Sequence, residues 1–146
     1  MKKSLFYLFA CASVMLFTIS CNKDEVDFDG SITNPITSVE VKDGNVVSKI
    51  DNGQMVEIIY YNYVGGKLDN MKVEIHHKSK DVANITYDAL KSLGELDSEF
   101  SSIAKDGKVI KLEYKKDSGE FETLANFSAE ELAAHLRLMI ENGYTF

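Results

Sequence analysis

Few side chains in this sequence have the chemistry of a catalytic or metal-binding site. The candidates for acid–base or metal chemistry are three histidines, His76, His77 and His135. His76 and His77 are neighbours in a predicted strand, so they point to opposite faces and cannot share a metal ion. Because the sequence has no H-x-x-x-H or H-x-H spacing, it predicts no metal site, no cofactor and no catalytic histidine.

The nucleophiles and carboxylates do not favour an enzyme either. The sequence has no G-x-S-x-G motif, and its serines lie in predicted turns and helix ends. Among 23 acidic residues, nothing in the sequence places two carboxylates across a cleft, as glycoside hydrolysis needs. We therefore expect a non-enzymatic protein, and a carboxylate-based hydrolase is the less favoured alternative.

The N-terminal residues have the pattern of an exported protein. Lys2 and Lys3 precede an apolar run from Leu5 to Ile19. A basic start followed by a short apolar run is typical of a secretory signal peptide, and this run is too short to span a bilayer comfortably. We expect residues 1–20 to be the signal peptide.

Cys21 directly follows this apolar run. The stretch Thr18-Ile19-Ser20-Cys21 resembles the lipobox of bacterial lipoproteins, in which the signal is cut just before a cysteine that then carries the lipid. The resemblance implies lipidation of Cys21 and a membrane anchor, although Thr18 stands where the family usually has Leu. Two alternatives stay open, namely a second lipobox that ends at Cys11 and a secreted protein that is cut near Ser20.

An acidic, polar segment follows the lipobox. Residues 21–36 have no steady period and read as a flexible tether behind the lipidated cysteine. The stretch "CNKDE", with Lys23, Asp24 and Glu25, resembles the export tag of surface lipoproteins in the Bacteroidetes phylum. This resemblance implies a location at the outer membrane, on the cell-surface face rather than the periplasmic face.

The charge of the chain limits its partners. The net charge is −7, and removal of residues 1–20 would take away Lys2 and Lys3 and make it −9. A surface this acidic argues against nucleic acid and against docking on anionic lipid. We expect the membrane contact to run through the lipid on Cys21, and we expect a protein partner or, as the alternative, a glycan.

The rest of the chain, residues 37–146, has the pattern of a single domain. Four strands are predicted first, the third and fourth being a hairpin over 55–78 that turns at Gly65-Gly66. A second hairpin is predicted over 108–127, with a turn at Ser118-Gly119. Helices are predicted over 86–104, where Gly94 could split the helix, and over 128–142, where Ser128 and Glu131 form a capping box.

These elements predict an α+β fold, an antiparallel sheet of about six strands in one layer with two helical segments packed on one face. Asp43-Gly44 and Asn52-Gly53 mark turns between the earlier strands. The length of the second of these connections is left open by the sequence. A tight turn would place Ile50 beside Met55, and a longer loop would place it beside Val56.

The Gly65-Gly66 turn also predicts which side chains of the hairpin share a face. A two-residue turn pairs Val56 with Ile75, Ile58 with Val73 and Tyr60 with Met71, so that all six form an apolar core face. The other face then carries an apolar strip, which we predict as the candidate partner surface. Its residues are Met55, Ile59, Tyr61, Tyr63 and Leu68. In the glycan alternative, Tyr61 and Tyr63 stack on a sugar ring, and in a purely structural interpretation the N-terminal strands or the tether cover the strip.

Overall fold

Six strands form one antiparallel sheet in the order β1-β2-β3-β4-β6-β5. The computed structural model describes residues 36–51, 53–92 and 99–142. The strands are β1 (Ile36–Lys42), β2 (Asn45–Asp51), β3 (Met55–Val64), β4 (Lys67–His77), β5 (Phe100–Asp106) and β6 (Val109–Tyr114). The helices within the described ranges are α1 (Lys80–Ser92), α2 (Gly119–Leu124) and α3 (Ala129–Glu141). This arrangement confirms the predicted α+β class with a six-stranded antiparallel sheet.

Several predictions from the sequence concern residues outside the described ranges. The signal peptide 1–20, the lipidation site Cys21 and most of the tether 21–36 are among them, and so is Gly94. Within the described ranges, no helix has both the length and the apolar character that crossing a bilayer requires.

The hairpins β1–β2 and β3–β4 turn where the sequence predicts. Asp43 and Gly44 have positive φ angles of 52° and 75° between β1 and β2. Gly65 and Gly66, with φ angles of 60° and 79°, connect β3 and β4. Positive φ at both central positions is the geometry of the turn that matches the twist of a two-residue hairpin.

The last hairpin, β5–β6, is not the predicted one. β5 and β6 pair around Gly107, which has a φ of 59°, so residues 100–104 belong to a strand and not to the end of the predicted helix over 86–104. That helix begins earlier, as α1 at Lys80. The predicted last strand of the 108–127 hairpin is wrong as well, because residues 119–124 form α2.

Local chemistry explains the helix at 119–124. Ser118 has extended backbone angles, and its hydroxyl accepts a hydrogen bond from the Phe121 amide over 3.2 Å. This is the N-cap interaction that begins a helix. Phe121 and Leu124, three positions apart, are both buried, as the helical period requires. A strand would have placed these two side chains on opposite faces.

The last helix follows the predicted pattern. The Ser128 side chain accepts from the Glu131 amide, and the Glu131 carboxylate accepts from the Ser128 amide over 2.9 Å, which confirms the capping box. The side chains that α3 buries recur at intervals of three and four. They are Ala129, Leu132, Ala133 and Leu136.

The sheet has one covered and one open face. On the covered face, α3 packs against β1 and β2, and α1 packs against β4, β5 and β6. The strand residues buried there are Val46, Ser48, Glu57, Ile59, Tyr61, Leu68, Met71, Val73, Ile75, His77, Phe100, Ile110, Leu112 and Tyr114. On the other face, none of the described side chains is buried. The helices therefore occupy one side of a two-layer domain.

A β-bulge sets the register of the central hairpin. Next to the turn, Tyr63 pairs with Leu68 as predicted, but the register then shifts and Asn62 pairs with Asn70. Asp69 is the extra residue on β4. Beyond the bulge, Ile59 pairs with Val73, whereas the sequence predicts Ile58 for this position. One additional residue on β4 is enough to change which face of β3 lies beside the apolar side chains of β4.

Both edge strands carry features that hinder the addition of another strand. At the β1 edge, the Arg137 guanidinium of α3 donates to the backbone carbonyl of Val39 over 3.1 Å. At the β5 edge, Lys105 points to the covered face, where its ammonium donates to the Asn84 side chain and lies over the Tyr87 ring. A partner that binds this sheet therefore meets its open face more readily than its edges.

Candidate functional site

The structure does not expose the predicted partner surface. Ile59 and Tyr61 are each 4% exposed and Leu68 is 7% exposed, and all three lie on the covered face. Met55 and Tyr63 are half-buried on that same face, and the Tyr63 hydroxyl donates to the Phe127 carbonyl over 3.2 Å. The prediction that these five side chains form an exposed strip is wrong, because the bulge at Asp69 brings Met71, Val73 and Ile75 of β4 onto the same face, which the helices cover.

The same shift brings a different set of apolar side chains to the open face. Val56, Ile58 and Tyr60 of β3, predicted as core, lie there beside Val47 of β2. All four are half-buried. We call these four residues the open-face strip.

Charged side chains flank the open-face strip. On β4 and β6, Lys72 lies opposite Glu113 and Glu74 lies opposite Lys111, which are favourable cross-strand pairs. The His76 ring is 3.0 Å from the Glu74 carboxylate. The face thus has an apolar centre and a charged surround.

Tyr60 connects the strip to these charges. Its pKa is raised, first by partial burial and then by the Glu74 carboxylate, to which its hydroxyl is hydrogen-bonded. This contact fixes the ring of the largest side chain in the strip. A tyrosine with an apolar ring and a bonded hydroxyl is a common anchor in protein interfaces.

A second unusual arrangement lies in the core, where two glutamates approach each other. Glu57 of β3 is 5% exposed, and burial together with the nearby Glu120 carboxylate raises its pKa to about 7. Its Oε1 atom is buried without a hydrogen-bond partner. Glu120 of α2 is half-buried, and its pKa is also raised to about 7, by burial and by Glu99. Sequence reasoning missed this pair, because it placed Glu57 on the wet face.

Hydroxyl groups complete this acid cluster. Tyr114 of β6 is hydrogen-bonded to Glu120, and Tyr61 of β3 is hydrogen-bonded to Ser48 of β2. Burial and the two carboxylates raise the pKa of both tyrosines, so they stay protonated. We define the acid cluster by its residues Glu57, Glu120, Tyr61, Tyr114 and Ser48.

Two more buried polar atoms have no hydrogen-bond partner. They are Nε2 of His77 and Oγ1 of Thr86. Burial lowers the pKa of His77, so the ring is neutral near pH 7. His77 lies on the covered face opposite Met55, two register positions from the Glu57–Ile75 pair. His77 is thus a buried histidine, whereas His76 and His135 are partly or fully exposed.

In the part of the chain that the structure describes, no three His, Cys, Asp or Glu side chains lie close enough together to hold a metal ion. A shallow pocket lies beside the start of α3 and is lined by Asp43, Tyr63, Ser128 and Glu130. The amide of Glu131 and the hydroxyl of Ser128 bond to each other there, so the helix end already has its cap.

Comparisons of the chain with protein-family models, with curated proteins and with solved structures found no match.

Proposed function

We propose that this protein is a lipid-anchored, non-enzymatic interaction module that binds a partner protein through the open face of its sheet. The observation that carries the proposal is the open-face strip of Val47, Val56, Ile58 and Tyr60, which lies on the face opposite the helices. An apolar centre within a polar rim is the usual anatomy of a protein interface.

The features of the sheet favour contact through side chains on its face. Strand addition needs free backbone groups at an edge, and Arg137 already bonds to the Val39 carbonyl at one edge. A partner that matches this face presents an apolar surface to Tyr60. It also carries charges that are complementary to the Lys72–Glu113 and Glu74–Lys111 pairs.

The proposed role does not use the acid cluster as a catalytic site. Glu57 is 5% exposed, and α2 lies beside it with Phe121 and Leu124 in the core. A substrate would have to displace this helix to reach the carboxylate.

A site-specific crosslinking experiment tests the partner surface. A photo-crosslinking residue replaces Ile58 in the full chain, in its own cells, and the matched control carries it at Leu138, which is 56% exposed on α3. We expect one adduct at position 58 that Tyr60→Ser weakens at least tenfold. An adduct of equal yield at position 138, or one that Tyr60→Ser leaves unchanged, would contradict the proposal.

A glycan array, combined with the crosslinking variant at position 58, tests whether the ligand is a glycan and not a protein. The stacking platform predicted from Tyr61 and Tyr63 is absent in its original form, because Tyr61 is buried. Binding to a glycan array that is lost in Tyr63→Ala, with no protein adduct at position 58, would replace the proposed partner by a sugar.

Anchoring is proposed from the lipobox pattern and is tested separately. Cells grown with radioactive fatty acid should label the wild-type chain and Cys11→Ala equally, and they should leave Cys21→Ala unlabelled. Label on Cys21→Ala that disappears in Cys11→Ala would move the anchor to Cys11. Protease treatment of intact cells then shows whether the domain faces outward, as we propose.

A further inference from the structure

The acid cluster joins the sheet to α2. Glu57 comes from the centre of β3, and Glu120 comes from the first turn of α2, next to the buried Phe121. The helix α2 has only six residues. The side chains between α2 and the sheet therefore contribute a large part of the free energy that keeps the helix on the sheet. Glu120 is hydrogen-bonded to Tyr114 of β6, so the helix is connected to the sheet through a titratable group.

Apart from the hydrogen bond of Tyr114, which lowers the pKa of Glu120, the surroundings of the cluster disfavour negative charge. The charged groups that act on the two carboxyls are themselves acidic, namely Glu120 on Glu57 and Glu99 on Glu120. Neighbouring elements supply hydroxyls from Ser48, Tyr61 and Tyr114, together with the neutral ring of His77. The described lysine on the covered face, Lys105, is bonded to Asn84.

The helix α3 packs against β1 and β2 on the same covered face and adds apolar side chains to that face. Its buried residues are Ala129, Leu132, Ala133 and Leu136. A neutral carboxyl group that gives up its proton here becomes a carboxylate that water cannot solvate, and it gains a repulsive neighbour.

We propose that Glu57 and Glu120 form a pH-dependent latch, which holds α2 on the sheet while the pair is protonated and releases the helix when the pair ionises. Glu57 is fixed in the middle of a strand, whereas Glu120 lies on a short helix, so α2 is the element that moves. Its release exposes Phe121 and Leu124, which are 5% and 8% exposed in the closed domain.

The direction of the switch follows from the chemistry of the acids. The pKa of each carboxyl is raised from 4.5 to about 7, so the neutral form prevails in the folded protein under mildly acidic conditions. The latch is therefore closed at low pH and opens as the pH rises through about 7. The device belongs to the fold and does not depend on the proposed partner.

Hydrogen exchange at α2 tests the latch in the full chain, purified in detergent. The Ala125 amide donates to the Phe121 carbonyl over 2.8 Å, and its protection factor reports whether the helix is closed. From pH 5.5 to pH 8 we expect this factor to fall at least tenfold relative to that of amides in α3. A protection factor that stays constant over this range would overturn the latch.

Matched variants assign the effect to the pair. In the double variant Glu57→Gln and Glu120→Gln, the protection factor of the Ala125 amide should change less than twofold over the same pH range. Glu122→Gln, an exposed neighbour on the same helix, should behave as the wild type. If Glu122→Gln removes the pH dependence as well, the cluster is not its source.

A measurement on the wild type alone covers the case in which the double variant does not fold. The side-chain carboxyl carbons of Glu57 and Glu120 are followed by NMR from pH 4 to pH 9. Titration of at least one of them above pH 6 supports the latch. If both titrate below pH 5, the proposal fails.

Discussion

Asn62 and Asn70 lie opposite each other on β3 and β4, and their side-chain amides are joined by a hydrogen bond of 2.6 Å. This pair is the first one beyond the bulge, and it begins the register that continues along the rest of the hairpin. In that register, Glu57 lies on the covered face beside Ile75. The buried glutamate is therefore a direct consequence of the extra residue at Asp69.

The first prediction concerns the length of β4. Without Asp69, Leu68 would directly precede Asn70, and the alternation would still place Leu68 and Met71 on the covered face. The deletion also removes the exposed Lys116–Asp69 ion pair of 2.8 Å, which contributes less than about 1 kcal/mol. We expect deletion of Asp69 to change the free energy of unfolding by no more than about 1 kcal/mol, as measured by urea denaturation.

Deletion of Lys72 is the matched control. Lys72 is exposed on the same strand, but its removal would turn Val73 and Ile75 away from the covered face. Burial of each such side chain contributes roughly 2 kcal/mol, so we expect this variant not to fold. Equal stability of the two deletion variants would show that the bulge does not set the register.

The sequence predicted the fold class, because turn residues and alternating patterns are local signals. It did not predict the register beyond Asn62, because two apolar sets compete on β3. Val56, Ile58 and Tyr60 are as apolar as Ile59 and Tyr61. The choice between them depends on the packing of β3 against β2, β4 and the helices, and the sequence of β3 does not contain that information.

A similar competition explains the misassigned segment at 119–124. Its alternating Glu120, Phe121 and Glu122 favour a strand with one apolar face and one wet face, and Ser118-Gly119 has the sequence of a hairpin turn. Ser118 is 2% exposed, and its burial beneath the helix is a tertiary feature. The spacing of Phe121 and Leu124 is the local signal that could have identified the helix.

The second prediction concerns stability as a function of pH. Glu57 has a folded-state pKa of about 7, above the ordinary value of 4.5. Its neutral form is favoured by folding, so its stabilising effect is complete below pH 4.5 and is lost as the pH rises towards 7. This shift in pKa corresponds to a decrease of roughly 3 kcal/mol in the free energy of unfolding. We expect urea denaturation at pH 5 and pH 8 to show a loss of at least this order. Glu57→Gln should remove the part that Glu57 contributes and leave the part that comes from Glu120, whose pKa is also raised to about 7.

Glu131 supplies a control of opposite sign. Its carboxylate accepts hydrogen bonds from Ser128, which lower its pKa. Its contribution to stability is therefore present above the ordinary pKa of a glutamate and is lost as the pH falls through the lowered value. Glu131→Gln should leave the loss between pH 5 and pH 8 as it is in the wild type. If it removes that loss, Glu57 is not the group responsible.

The candidate site was less predictable than the fold. The sequence indicated an apolar, tyrosine-bearing strip on a wet face, and the structure has one, but its members are Val56, Ile58 and Tyr60 in place of Ile59 and Tyr61. The acid cluster depends on the register and on α2, both of which the sequence assigned differently. No local pattern distinguishes a buried glutamate such as Glu57 from an exposed one.

The third prediction concerns the cap of α3. Ser128 and Glu131 satisfy two backbone amides of the helix end. Ser128→Ala removes one of these bonds and should lower the free energy of unfolding by about 1 kcal/mol. Ser102→Ala, at an exposed position of β5, serves as the control and should change it by less than about 0.5 kcal/mol.

The last prediction concerns the β1 edge. Arg137 is the single arginine of the chain, and its guanidinium bonds to the Val39 carbonyl. Replacement of Arg137 by Met keeps the apolar stem and removes the donor, so the carbonyl becomes available to a strand of another molecule. We expect faster hydrogen exchange in β1 and the appearance of larger species in light scattering at high protein concentration. The control is Lys91→Met, which removes an exposed positive charge from α1. If both variants associate equally, the loss of charge is the cause, and Arg137 does not protect the edge.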